Sequence, residues 1–552
     1  MAAWYEKAFS RRGFLAFTSL ALAAKGLGCS GANPGPGQLA GQVSSPRSRP
    51  VVVIGAGLGG LTSAAYLARH GFPVTVVEQH DVPGGYATSF DRDGGRFPFE
   101  VSLHQTAATG GGTRQVLAEL GITQRLPLAA APEFARIVQP GLDLRLPAAD
   151  PAGCQEALAR LFPGQRQEIG AYLNELVAVP QAVAKLPNKL GLWDYVTFPF
   201  KHPLLWDIRN LTMAQFIDRH ISDPRLKSLL SIYWGYYGLP PSQLSGFLYA
   251  VATGGYLKSG GYYYLPRSQA LSNALAELIE QKQGRVIYGQ MVRRISLENG
   301  RVSGVELDDG RRLPAAAVIH NGPVPALDGG LLPAGVLPEA YRQRLASCQV
   351  SLSSFIVWLG LKESLRGRLD GGYSFSLGDG QSPEEEYQAV LRGDLARAGL
   401  SVALYDNLSP TYSRPGTGTM TVMCLCGYEP WRRFAADYLA GRKADYHREK
   451  ERLTQVLIQR VEKMLLPGLS GLIEVCVAAT PLTNQRYTRN TGGAIYGYDQ
   501  TLNNAYMNRL ENRTPIPGLY LASGWGSPGG GFTGVQRGGR DTFLKLMEDW
   551  AA

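Results

Sequence analysis

At 552 residues the chain is too long for one small core, and its 45% apolar, 18% charged composition excludes a disordered or fibrous protein. The formal charge of +10 is modest for this length and no Lys/Arg run is interleaved with aromatics, so a nucleic-acid partner is excluded and an anionic lipid surface is the more natural one. Beyond Cys29, the cysteines Cys154, Cys348, Cys424, Cys426 and Cys476 form no CxxC pair and no histidine lies at a metal spacing, so no metal site is expected.

The chain opens with Ser10-Arg11-Arg12-Gly13-Phe14-Leu15 and the apolar stretch Ala16–Ala24, the pattern of a twin-arginine export signal. That apolar run is too short for a stable transmembrane helix. Leu27-Gly28-Cys29-Ser30 is close to a lipoprotein cleavage site, with the leucine one position nearer the cysteine than usual. An exported protein, periplasmic or membrane-associated, is expected, with a lipid anchor at Cys29 a further possibility and an uncleaved, disordered basic tail the alternative. Ser30–Arg49, rich in Gly, Pro and Ser, reads as a flexible tether.

Val51–Gly85, VVVIGAGLGGLTSAAYLARHGFPVTVVEQHDVPGG, contains every part of an adenine-dinucleotide site. Val51–Ile54 predicts a buried parallel strand, and Gly55, Gly57 and Gly60 follow it directly. Gly55 permits the tight turn, Gly57 lets backbone approach a pyrophosphate, and Gly60 allows close packing of the helix that follows. Leu61, Ala64, Ala65 and Leu67 give that helix its buried face, Gly71 ends it, and Val74, Val76 and Val77 form a second strand. Glu78 closes this strand 23 positions after Gly55, close to the roughly 20-residue spacing at which an acid accepts bonds from ribose hydroxyls. With Gly84-Gly85 following in order, the segment predicts bound FAD.

A glycine-rich aromatic stretch after Gly85 is expected to run beneath the flavin, before a helix near Gln115–Leu120. Residues 151 to 253 are mainly helical in pattern. Within them, Gly191–Trp206 joins Trp193, Tyr195, Phe198, Phe200 and Trp206 to Lys201 and His202 and, just before it, Lys189, which suits either a membrane interface or a buried aromatic loop. A second aromatic group, from Tyr233-Trp234 to Tyr262-Tyr263-Tyr264, is expected to be partly core and partly the wall of a long apolar cavity. Pro266–Glu280 reads as a helix, Gly284–Tyr288 as a strand, residues 292–313 as a β-meander and Ala315–Asn321 as a buried strand. Ser351–Leu361, Ser401–Tyr405 and Thr419–Gly427 are expected strands of a second sheet, with Cys424 and Cys426 pointing to one face as small core residues, and Arg448–Leu465 reads as a helix.

The residues resemble the flavin amine-oxidase superfamily, and within it the branch of phytoene desaturases, carotenoid isomerases and retinol saturases. Four blocks carry the resemblance: the dinucleotide segment, Gly261–Leu278 leading to Val292 and Gly304-Val305, Thr480–Gly497, and Thr514–Gly539 (TPIPGLYLASGWGSPGGGFTGVQRGG). The first identifies the superfamily, and the last two point to the carotenoid-type branch. The resemblance implies an α/β architecture: a discontinuous Rossmann-like FAD-binding domain, an inserted α+β substrate domain, and a helical, aromatic-rich, membrane-facing region. Its boundaries fall at 1–49 for signal and linker, at 50–145, 261–325 and 481–552 for the FAD-binding parts, at 146–260 for the helical region and at 326–480 for the substrate domain.

Carried over by position, the resemblance implies adenine or ribose contact by Glu78, a backbone contact at Val292, and flavin-ring contacts along Gly524–Gly534, including Gly529, Gly530, Phe532 and Thr533. His104 falls where retinol-saturase-like members have a histidine, which could shape the pocket, donate a proton or be structural. The chain departs from the branch in three places. Phe99-Glu100 replaces the usual FD, Pro266-Arg267 replaces a Gly-Gly pair so that Arg267 could occupy space near the flavin, and Ser523-Gly524-Trp525 lacks the usual acid.

The resulting expectation is redox or isomerisation chemistry at a carbon–carbon bond of an apolar isoprenoid, with hydride exchanged at flavin N5. An exported enzyme would exchange electrons with a membrane quinone or oxygen, because free nicotinamide nucleotides are scarce outside the cytoplasm. The alternatives are a flavin amine oxidase and a non-catalytic, flavin-containing lipid-binding protein.

Overall fold

The apolar run Val51–Ile54 becomes the central strand of a five-stranded parallel sheet in the computed structural model, which describes Gly37 and residues 48–102, 105–107, 112–187 and 192–551. Arg11, Arg12, Cys29, Lys189 and His104 lie outside the described residues. Across the sheet the strands run Leu519–Leu521, Ala317–His320, Val51–Ile54, Val74–Val77 and Arg285–Ile287, each parallel to its neighbour. The pleat sends alternate side chains to opposite faces, and with both faces covered the central strand Val51–Ile54 is apolar throughout. Val51, Val53, Ala317 and Ile319 face one core, covered by the helices Leu58–Arg69, Arg267–Gln281 and Phe532–Ala551. Val52, Val318, Leu519 and Leu521 face the other, covered by the meander Val292–Glu298, Arg301–Leu307 and Arg312–Pro314.

A seven-stranded sheet forms the second layer, in the order Ile473–Ala479, Ser353–Leu361, Gly418–Cys426, Leu400–Ala403, Ser374–Leu377, Glu133–Gln139 and Leu142–Pro147. Its pairings are antiparallel except for that of Ser374–Leu377 with Glu133–Gln139. Cys424 and Cys426 are buried in its core with Phe355 and Trp431. Here the FAD-binding boundary drawn at residue 145 is corrected, because the hairpin of residues 133–147 belongs to this second sheet. The physical reason is its apolar side, where Ala135, Ile137, Leu144 and Leu146 seal the core of the helical insert.

That insert contains Pro151–Leu161, Arg166–Ala184, Leu192–Lys201, Pro203–Ile208, Met213–Asp218, Pro224–Leu230 and Gly246–Ser259. Trp234, Phe247 and Tyr249 are core residues, the core part of the expectation for these aromatics, and the cavity bordered by Tyr172, Tyr233 and Tyr249 measures about 30 Å³, room for one water. The most exposed aromatics, Trp193 and Phe200, lie on the Leu192–Lys201 helix. No helix among the described residues is long and apolar enough to cross a membrane.

Candidate functional site

Where Val51–Ile54 ends, Gly55 adopts φ +94°, a left-handed backbone that glycine tolerates without a steric penalty, and its N–H donates to the Val77 carbonyl at 2.8 Å. The Leu58–Arg69 helix then starts with no capping side chain and no acidic residue in its first turn. Its first N–H groups and the positive end of its dipole therefore remain for an anion, as a pyrophosphate requires. A Cβ on Gly59 would collide with the Ala522 carbonyl, and one on Gly539 with the Gly59 carbonyl. The Leu58–Arg69 and Phe532–Ala551 helices thus meet backbone to backbone. Gly57 has a different neighbour, since a Cβ there would lie 2.6 Å from Nδ2 of Asn321, whose amide donates to the Gly55 carbonyl.

Glu78 stands at the carboxyl end of the second strand, buried, and accepts from the Ala56 N–H at 2.7 Å and the His80 N–H at 3.0 Å. It therefore locks the glycine turn. Two of the roughly four lone-pair sites of its carboxylate are used, leaving acceptors for ribose hydroxyls. The Gly84 N–H donates to the Ala56 carbonyl at 2.8 Å, and Gly84 and Gly85 both have positive φ, at +130° and +59°. The side chain of Val292 is buried against Val52 and Val77, so its contacts with a ligand would be through backbone.

The second glycine turn follows Leu519–Leu521 and leads into the Phe532–Ala551 helix. Buried Arg509 holds it from beneath: Nε donates to the Gly526 carbonyl at 3.0 Å, Nη1 to Tyr498 at 2.8 Å and Nη2 to Gly524 at 2.5 Å. Asn512 braces the same turn, its Nδ2 donating to the Ser527 carbonyl at 2.9 Å while its Oδ1 accepts from the Ser527 N–H at 2.9 Å. Gly529 has φ +128°, and a Cβ on Gly530 would lie 2.8 Å from the Tyr496 ring. At the helix start, Thr533 shares hydroxyl hydrogen bonds with Thr106 at 3.1 Å and Thr113 at 3.0 Å.

Two titratable groups behind the turn are strongly perturbed toward their neutral forms. Burial pushes Asp499 up to about 8 against the pull of Arg509, and neither carboxylate oxygen finds a hydrogen-bond partner among the described residues. Burial also lowers His320 to about 4, and its ring Nε2 lies 3.0 Å from the Pro323 carbonyl. With that nitrogen donating, His320 is a neutral imidazole at the end of its strand.

The two departures near the hairpin of residues 89–100 have structural partners. Glu100 is fully buried and accepts from Tyr263 Oη at 2.7 Å, the Ser268 N–H at 3.1 Å and Ser89 Oγ at 3.3 Å, while its carbonyl accepts from Trp358 Nε1 at 2.6 Å. It joins four segments. Arg267 pairs with Asp91 at 2.9 Å, its side chain about one-third exposed.

Sequence reasoning missed Arg509, Asn512, Asn321 and Tyr496. The first two stand in NNAYMNRLEN, just before the strand that delivers the second turn, and polar side chains in that position are the signal that could have found them.

Two glycine turns at the carboxyl ends of strands of one parallel sheet, the first opening an uncapped helix with an acid beside it, fit an adenine dinucleotide whose ring would lie along the second. They define an FAD-binding oxidoreductase. The chain belongs to the family described as flavin containing amine oxidoreductase, whose model matches residues 58–542. It is 28% identical to all-trans-retinol 13,14-reductase of Rattus norvegicus over 86% of this chain and 82% of that protein. It is 25% identical to a neurosporene-forming phytoene desaturase of Rhodobacter capsulatus (88% and 91% covered) and 23% identical to chloroplastic prolycopene isomerase 1 of an Oncidium hybrid cultivar (91% and 84% covered). The fold is similar to that of putrescine oxidase bound to putrescine, with a TM-score of 0.60, 18% identity, and 91% and 98% of the two chains covered.

Proposed function

We propose that this protein is an FAD-dependent oxidoreductase acting on carbon–carbon bonds of a long apolar isoprenoid, by desaturation, saturation or isomerisation. The observation that carries this reading is similarity along 82–91% of the length of relatives named for retinol, phytoene and prolycopene chemistry. Bound FAD supplies hydride transfer at its ring. The chain's own residues orient and dry the site: Gly55–Gly60 and the Leu58–Arg69 helix hold the diphosphate, Glu78 the ribose, and Arg509 and Asn512 fix the turn against which the ring lies. Incubating the purified holoprotein with acyclic carotenes and retinoids, and following their conjugation by absorbance and chromatography, tests the reading. A shift in conjugation length or double-bond geometry is expected; no change with any polyene would reject it.

The setting is export and a membrane surface, with a membrane quinone as electron partner. Arg11-Arg12 and the apolar run after them support export. On the Leu192–Lys201 helix, Trp193, Val196 and Phe200 are 76%, 46% and 74% exposed at spacings of three and four, a stripe that supports docking in a lipid interface. Quinone, not NADPH, is then expected to change the flavin spectrum without oxygen, and rapid bleaching by NADPH would oppose it.

A further inference from the structure

A buried charge is ordinarily paired with an opposite one. Arg509 is not. It is 4% exposed, and it remains a cation at neutral pH although burial lowers it to about 10. All its hydrogen bonds end on neutral carbonyls: Nε on Gly526, Nη2 on Gly524, and Nη1 on Tyr498, Asp499 and Asn504, at 2.5–3.4 Å. The Asp499 side chain does not neutralise it. Both carboxyl oxygens are without a hydrogen-bond partner among the described residues, and burial favours the protonated form.

A second arginine adds to the same field. Arg344, on the helix Glu339–Ala346, donates to the Asn508 carbonyl at 2.6 Å, to Asn504 Oδ1 at 3.0 Å and to the Asn503 carbonyl at 3.3 Å, again all neutral acceptors. Asn504 joins the two cations, since its own carbonyl accepts from Arg509. On the other side of Arg509 stands the second glycine turn. A Cβ on Gly529 would lie 3.8 Å from Nη2, and one on Gly524 would lie 3.3 Å from the Cα of Gly530. These residues carry no side chains, so one layer of backbone separates the cation from the surface along which the flavin ring lies. A ring that has taken up two electrons carries more negative charge than the oxidised ring. A fixed cation beside it stabilises that charge, and does so more strongly in a site closed to water than in bulk solvent.

We infer that Arg509, with Arg344 behind it, is the electrostatic element that sets the potential of the bound flavin, stabilising the reduced ring and so making the oxidised ring a better acceptor of hydride. This rests on the FAD site and not on which substrate the protein takes. The holoprotein and its variants are reduced slowly without oxygen beside a redox dye, and the two-electron potential is read from the two absorbance spectra. Arg509→Gln is expected to shift the equilibrium at least about tenfold toward oxidised flavin, a potential about 30 mV lower. Arg509→Lys, which keeps the charge and loses the planar fork, is expected to stay within about threefold of the wild type. Arg344→Gln leaves every bond to the turn in place and is expected to shift the equilibrium about threefold in the same direction as Arg509→Gln. A flavin-replete Arg509→Gln protein with the wild-type potential would overturn the proposal. So would an Arg509→Lys protein whose potential falls as far as that of Arg509→Gln, because the shape of the turn and not the charge would then set it. Should Arg509→Gln lose its flavin, Arg344→Gln decides, and a wild-type potential there overturns the proposal. Neither dye nor reductant is an isoprenoid, so failure here leaves the isoprenoid reading intact, and failure of that reading leaves this result standing.

Discussion

In the dinucleotide unit, Gly59, Gly60 and Gly539 stand where any side chain would meet backbone; the helical insert repeats this at Gly246 and Gly254 but away from those contacts is held by side chains filling space around Ile169, Leu173 and Val179. At the cofactor turns the absence of atoms is what specifies the structure, whereas in the insert close backbone contact and side-chain bulk share that role. The difference teaches where each part of the function resides. Cofactor geometry follows from backbone that nothing may displace, and the shape of the insert from side chains packed around it.

The sharpest way to break the comparison is Gly59→Val. The added carbons collide with the Ala522 carbonyl and separate the two helices whose N-termini converge on the cofactor. Purified protein is expected to retain no flavin by its absorbance ratio, and full occupancy would show that close helix contact is dispensable. Arg509→Ala comes next, leaving the buried carbonyls of Tyr498, Gly524 and Gly526 without their donor. A loss of about 3 kcal/mol in urea unfolding, with faster flavin release, is expected.

Acid sharpens the contrast further. Burial holds His320 at about 4 in the folded state against an ordinary value of 6.5, so between these pH values the unfolded chain binds more protons. Stability contributed by neutral His320 is present above pH 6.5 and falls away toward pH 4, by about 3 kcal/mol in all. Because His320 lies in the five-stranded sheet, flavin release is expected to accompany this loss; an acid transition that left the flavin bound would place the sensitive group elsewhere. The smallest effect belongs to the insert. Val179→Ala removes fully buried methyl groups and is expected to cost about 2 kcal/mol while leaving flavin content unchanged. Loss of flavin in that variant would erase the distinction between the two regions.

The same contrast decides what could be read from sequence. Gly55, Gly57, Gly60 and Glu78 were legible because a turn, a helix start and an acid must recur at fixed spacing whatever surrounds them. The strand Glu133–Gln139 was not, since its partner on one side lies far along the chain, with Ile137 opposite Ser376. Arg509 escaped notice for a related reason: its partners are carbonyls brought near only by the finished turn. Trp234 and Tyr249 show the limit of composition, which does not distinguish aromatics that fill a core from aromatics that line a cavity. His104, outside the described residues, stays an expectation from resemblance alone.

The most direct test of the central claim is anaerobic reduction and reoxidation of the holoprotein's flavin spectrum against polyenes, quinones, NADPH and amines. Spectral change that depends on a polyene, with none from amines, is the result this account predicts. Reduction by amines alone would contradict it and make the protein an amine oxidase.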